Sequence, residues 1–239
     1  MSYKKTWLPG VIFGIGVHGV GNAEEVKPWE GEVEVGIVAT SGNTETQSIN
    51  VKAKVVNNRE KWRHTGKFEA LNNEDNNTTT AERYLISGKS DYRLSDISYL
   101  FGTVDYEDDR FSGYDYRATE VVGYGRRVLN TETMTLELEA GAGARQSKLE
   151  STGSKDSESL PRGSGNYVWK ISDTSTFSEE LTIDAGSDTT ISKSVTGLKT
   201  QVAGSLATKI TFTVKNTSDV PPGIEKTDTE TAVTLVYDF

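Results

Sequence analysis

The sequence predicts an all-β fold: a transmembrane antiparallel up-and-down β-barrel of about 12 strands, with both termini periplasmic. Three observations predict it. The chain past residue 23 is a succession of alternating segments with no helical period. Its amino end reads as an export signal, yet no later run is apolar enough for a transmembrane helix. Its last residues alternate, with Val233, Leu235, Tyr237 and Phe239 on one parity and Ala232, Thr234, Val236 and Asp238 on the other. A terminal aromatic on an apolar strand face is what a barrel-closing strand presents to the interfacial girdle.

In residues 1–23, Lys4 and Lys5 form a positive n-region and Trp7 to Val20 an apolar h-region. Gly21 and Ala23 are the small residues before a cleavage site, so this is a secretory signal peptide, read by the Sec pathway and cleaved. Gly14, Gly16 and Gly19 spell a dinucleotide-binding pattern, but no strand precedes it and no βαβ unit follows. Residues 24–239 suffice for one outer-membrane β-barrel domain. The chain has no cysteine, which excludes disulfides and thiolate chemistry. Removing the signal leaves 24 basic and 35 acidic residues, a formal charge of −11, which argues against nucleic acid as a partner. Hydrophobic content is 34% and mean hydropathy −0.51. An exported chain this polar can span a membrane only as a barrel, because alternate residues then face a polar lumen.

The predicted strands run over residues 31–40, 45–56, 61–72, 80–93, 97–108, 115–128, 133–147, 166–173, 177–187, 192–205, 209–217 and 229–239. Short separators such as Leu94–Asp96 and Ala207–Thr208 alternate with longer ones at Asn73–Thr79, Asp109–Tyr114, Leu149–Gly165 and Asp219–Asp228. Short turns on one side and longer loops on the other are the bacterial outer-membrane pattern.

The seventh segment shows its faces best. Met134, Leu136, Leu138 and Ala140 oppose Thr135, Glu137, Glu139 and Arg145. In the third, Trp62, His64 and Phe68 oppose Arg63, Lys67 and Glu69; in the eleventh, Ile210 and Phe212 oppose Lys209 and Lys215. The fifth, sixth and tenth segments leave their register open. Aromatics at strand ends (Trp29, Trp62, Tyr92, Tyr114, Trp169, Tyr237) turn the apolar face to lipid rather than inward.

Three stretches then carry a resemblance: GEVEVGIVATSGNTETQSINVKAKV at 31–55, FSGYDYRATEVVGYGRRV at 111–128 and YVWKISDTSTFSEEL at 167–181. The chain resembles the YdiY-like family of salt-induced outer-membrane proteins, built on a domain of unknown function. The resemblance implies an outer-membrane barrel across residues 24–239. It implies no substrate and no functional residues.

An outer-membrane enzyme needs a base beside a nucleophile or activated water. The single histidine after the signal, His64, falls on the lipid parity beside Trp62, which points to an interfacial structural role. Glu137 and Glu139 share a face, but lumenal cations such as Arg126, Arg145 or Lys170 would neutralise them. The acidic stretch Asp105–Asp115 is oxygen-rich, as Ca²⁺ sites are, but lacks EF-hand spacing and reads as a solvated loop. No catalytic residue, metal or cofactor is assigned, and the chain is not read as an enzyme.

The lumen parity holds Arg63, Lys67, Glu69, Arg83, Lys89, Asp91, Arg93, Glu120, Arg126, Glu137, Glu139, Arg145, Lys170, Asp184, Lys209 and Lys215. Mixed charges in a barrel of this size fit a narrow polar channel for ions or small solutes. They also fit a closed structural or envelope-stress barrel without a through-path. Expected partners are outer-membrane lipid, lipopolysaccharide and, through Val233, Leu235, Tyr237 and Phe239, the barrel-assembly machinery. Loop 149–165 could fold into the lumen or remain outside.

Overall fold

Period-two alternation extends nearly the whole chain into strands: β1 (Trp29–Ser41), β2 (Gln47–Asn58), β3 (Trp62–Asp75), β4 (Thr78–Arg93), β5 (Ser98–Asp109), β6 (Tyr114–Asn130), β7 (Met134–Leu149), β8 (Lys155–Lys170), β9 (Ser175–Ala185), β10 (Thr190–Ala203), β11 (Leu206–Thr217) and β12 (Thr227–Asp238). The computed structural model describes residues 28–41, 47–75, 78–110 and 112–239. The signal-peptide expectation for residues 1–23, residues 42–46 of the first quoted stretch and Phe111 of the second lie outside the described residues. Each strand pairs antiparallel with its sequence neighbour, and β1 pairs with β12, closing the barrel.

Ten register pairs from Glu32↔Asp238 to Ser41↔Thr229 make the closing seam. Phe239 finishes it. Its N–H donates to Gly31 O and its carbonyl accepts from Gly31 N–H, each at 3.0 Å. The Phe239 ring lies where a Cβ on residue 31 would stand, so any larger residue there would have to displace the ring.

The distribution of side chains is inverted relative to a water-soluble protein. Val122 is 70% exposed on the outer wall, with Ile86, Val104, Val233 and Leu235 also exposed. Asp91 is 2% exposed inside, with Glu137, Arg145 and Glu230 also buried. Apolar surface gains nothing by facing water, and buried charges cost heavily unless paired. A lipid exterior and a polar lumen satisfy both demands. Trp62, Trp169, Tyr237 and Phe239 gather on the outer wall near the end where β1 begins and β12 finishes.

The interior is not uniform. Tyr99 and Phe101 of β5, Val121 of β6 and Leu160 of β8 form an apolar pad against the inner wall. Gly123 and Gly125 of β6 and Gly141 of β7 make room for it; a Cβ at Gly125 would meet the Tyr99 ring. The pad thickens the β5–β8 wall.

This pad also accounts for two corrections. Both parities of β6 carry apolar residues, Val121 inward and Val122 outward, so hydropathy gave no face. The inward parity is that of Arg117, Thr119 and Val121, which puts Glu120 and Arg126 on the outer wall with Val122 and Tyr124, not in the lumen. The stretch expected as loop 149–165 is a turn followed by β8. Its Glu158, Leu160, Arg162 and Ser164 side chains supply the inward face, while the outward positions are Ser157, Ser159, Pro161 and Gly163. Gly153, with φ of 67°, makes the tight turn before it. The acidic stretch is likewise strand to Asp109, with Asp105 and Glu107 turned inward. The segment 73–79 is mostly taken into β3 and β4.

Candidate functional site

The barrel interior encloses a cavity of 570 Å³. Inward parity places the charges. Arg63, Lys67, Glu69, Arg83, Lys89, Asp91, Glu137, Glu139, Arg145 and Asp184 line the cavity, as do Arg93, Lys209 and Lys215. Glu120 and Arg126 face outward. Lys170 ends β8 and stands 3.6 Å from Asp173 in the next turn. Glu32, Glu34, Lys52, Lys54, Glu107, Arg117, Arg162, Glu180, Lys193, Lys199 and Glu230 also line the cavity. Several of these were legible: Glu180 shares the parity of Asp184 and opposes Phe177, Leu181 and Ile183.

The cations divide in part by wall: the lumenal arginines stand on β3–β8, while the lysines stand mainly on β2, β10 and β11, with Lys67 and Lys89 on β3 and β4. Arginines hold the β3–β8 side in short pairs. Arg63 donates to Asp91 at 2.7 Å and to Glu137 at 3.2 Å, and Arg127 reaches the same Glu137 at 3.0 Å. Arg162 grips Asp184 with two nitrogens, at 2.6 and 2.7 Å, and reaches Asp105 at 2.9 Å. Tyr99 donates to Glu139 at 2.7 Å, and Lys89 bonds Glu139 above the Tyr99 and Phe101 rings. Planar bidentate guanidinium pairs of this kind fix geometry.

Lysines predominate on the opposite side. Lys199 donates to Asp238 at 2.5 Å, Lys209 to Glu34 at 2.7 Å and Lys215 to Glu107 at 2.8 Å. Register places lysines directly opposite one another at Lys54↔Lys67, Lys193↔Lys215 and Lys199↔Lys209. Like charges in that relation repel, so each pair depends on carboxylates brought from elsewhere.

Two of those carboxylates cross the lumen. Glu107 of β5 meets Lys215 of β11, and Lys67 of β3 meets Glu180 of β9 at 3.2 Å. Each contact joins strands six apart in a ring of twelve. A circular barrel of twelve strands spaced about 4.8 Å and tilted about 40° would be roughly 24 Å across, while two such side chains and their contact span about 15 Å at ~1.5 Å per bond. The cross-section is therefore oval, with the β3–β5 wall drawn toward the β9–β11 wall. The Glu107 bridge lies near the long-loop end and the Lys67 bridge nearer the short-turn end.

His64 stacks on Trp62, with ring centroids 5.6 Å apart, and its Nδ1 is 2.9 Å from Ser90 Oγ, on the outer wall. It is remote from the lumenal carboxylates. Among the described residues, no group of three or more His, Asp or Glu side chains is disposed to hold a metal ion.

The family described as "Protein of unknown function, DUF481" matches residues 33–239. The chain is 30% identical over 218 residues to "Uncharacterized protein YdiY" of Escherichia coli (strain K12), covering 90% of this chain and 85% of that one. Among solved structures it resembles the NanC porin, with TM-score 0.59, 11% identity and coverage of 86% of this chain and 98% of that one. It also resembles the translocator domain of the autotransporter NalP from Neisseria meningitidis, with TM-score 0.52, 8% identity and 90% coverage of both. The KdgM porin follows with TM-score 0.50, 11% identity and coverage of 87% and 99%. At such identities the likeness is one of fold.

Proposed function

This chain belongs to the DUF481 family of proteins of unknown function, and from that premise we propose that it is an integral outer-membrane barrel forming a narrow polar channel for ions or small solutes. The observation that carries the reading is the inverted wall. An apolar band faces outward, and a cavity of 570 Å³ lined by charges of both signs runs inside it. A barrel required only as a scaffold has no need of a wet interior. The NanC and KdgM porins lend the fold, and the lumen chemistry lends the function. In this reading residues 1–23 direct export through Sec, the short-turn end faces the periplasm, and lipid and lipopolysaccharide surround the outer wall. The closing strand, with Phe239 over Gly31, is the element presented to the assembly machinery.

A second reading, a structural or envelope-stress barrel without a through-path, draws support from the two bridges that cross the lumen. Swelling of liposomes containing refolded protein separates the two. An open channel produces swelling with small polar solutes such as glucose. Absence of swelling with every solute, from protein shown to be inserted, would leave only the closed barrel.

A further inference from the structure

The Lys67–Glu180 bridge differs from the other lumenal ion pairs. Its side chains are 32% and 50% exposed, whereas those of Arg63–Asp91 and Arg145–Glu158 are at most 14% exposed. An exposed pair gains little Coulomb energy and is weakened further by salt. Yet here two side chains from opposite walls are extended to meet in mid-lumen. On the β3 side the carboxylate enters beside a like-charged pair, Lys54↔Lys67, both lining the cavity. On its own wall Lys193 stands diagonal to it across the β9–β10 ladder. Glu32, opposite Lys54 on β1, and Glu69, on the same face as Lys67, add negative charge around the pair, as Asp105 does, and Lys209 adds a further cation. Lysine is suited to this place: it is a compact, mobile point charge, unlike the forked arginines elsewhere in the lumen.

Resting on the channel reading above, we infer that Lys54, Lys67 and Lys193 form a binding subsite for a small carboxylate anion at the constriction, and that Glu180 occupies it when no solute is present. The internal carboxylate is the template for the ligand. A permeating carboxylate displaces Glu180 from Lys67, takes over its contacts and, while bound, blocks the passage to chloride. The contacts exchanged are alike, one exposed carboxylate for another, and the free solute also gives up its translational freedom, so it binds weakly. Such weak binding is what conduction requires, since a site must be easy to leave as well as to enter.

The test uses full-length refolded protein in planar bilayers, with a KCl gradient and then acetate added to both sides. Glu180→Gln keeps the side-chain shape and removes the internal anion. It should shift the reversal potential toward chloride, raise conductance and lower the acetate concentration for half-block severalfold. Lys54→Gln/Lys67→Gln should shift selectivity toward cations and abolish the acetate block. Heat-modifiable mobility in SDS reports folding for each variant; if the double variant does not fold, Glu180→Gln alone decides. A conducting barrel whose selectivity and acetate block are unchanged in Glu180→Gln overturns the subsite and leaves the channel reading standing. A barrel silent in every variant overturns both.

Discussion

The clamp between Arg145 and Glu158 gives the sharpest quantitative prediction. The two residues face each other directly across β7 and β8, with side chains 3% and 7% exposed. Arg145 Nε donates to Glu158 at 2.8 Å, and its Nη2 bonds both Glu158 and the Thr189 carbonyl. The other oxygen of Glu158 accepts the N–H groups of Asp188 at 3.0 Å and Thr189 at 3.1 Å. One carboxylate thus neutralises a buried guanidinium and ties down the β9–β10 loop. Removing one partner of a buried pair leaves an uncompensated charge and costs about 3–5 kcal/mol. Glu158→Ala should therefore destabilise by that amount. Arg145→Ala/Glu158→Ala should cost less than Glu158→Ala, because no lone charge remains. Lys148→Ala breaks a pair with Asp115 that is 33% and 36% exposed, and should cost less than about 1 kcal/mol. Urea unfolding of refolded protein, followed by tryptophan fluorescence, measures all three. A Glu158→Ala cost no larger than that of Lys148→Ala would refute the clamp, as would a double variant weaker than the single.

Phe239→Ser should lower the heat-modifiable fraction in membranes, and Gly31→Leu should reproduce the defect, because each removes the ring-on-glycine contact that finishes the seam. Gly125→Val should destabilise by about 1–3 kcal/mol through collision with Tyr99, whereas Gly88→Val, with open space around the added Cβ, should leave the urea midpoint nearly unmoved. Phe101→Ala should cost about 3–5 kcal/mol by emptying the inner pad, measured by the same unfolding assay.

The sequence was most legible where one face is purely apolar and the other polar. β7 and β11 come nearest to that, and their inward and outward residues follow from parity; β12 has an apolar outer face but also carries Ala232 and Val236 inside. β6 is not, because the pad around Tyr99 and Phe101 places Val121 inside the barrel and so lets Glu120 stand outside with Val122. β8 hid behind serine, glycine and proline, which usually mark loops; its alternation lies in the inward set Glu158, Leu160 and Arg162. Pro161 costs the ladder a donor without ending the strand. The lysine wall was only half visible. Lys67, Lys209 and Lys215 stand out on clean strands, but that Glu180 crosses the lumen to Lys67 depends on the oval section, which no single strand encodes.

The central claim is that one face of each strand is in water and the other in lipid. The chain has no native cysteine, so single-cysteine variants test this directly. In proteoliposomes, Lys67→Cys and Glu180→Cys should react with a water-soluble maleimide, while Phe68→Cys and Leu181→Cys, one residue away on the opposite parity, should react only with a lipid-soluble one. Reaction of Phe68→Cys and Leu181→Cys with the water-soluble reagent, and protection of Lys67→Cys and Glu180→Cys, would contradict the account.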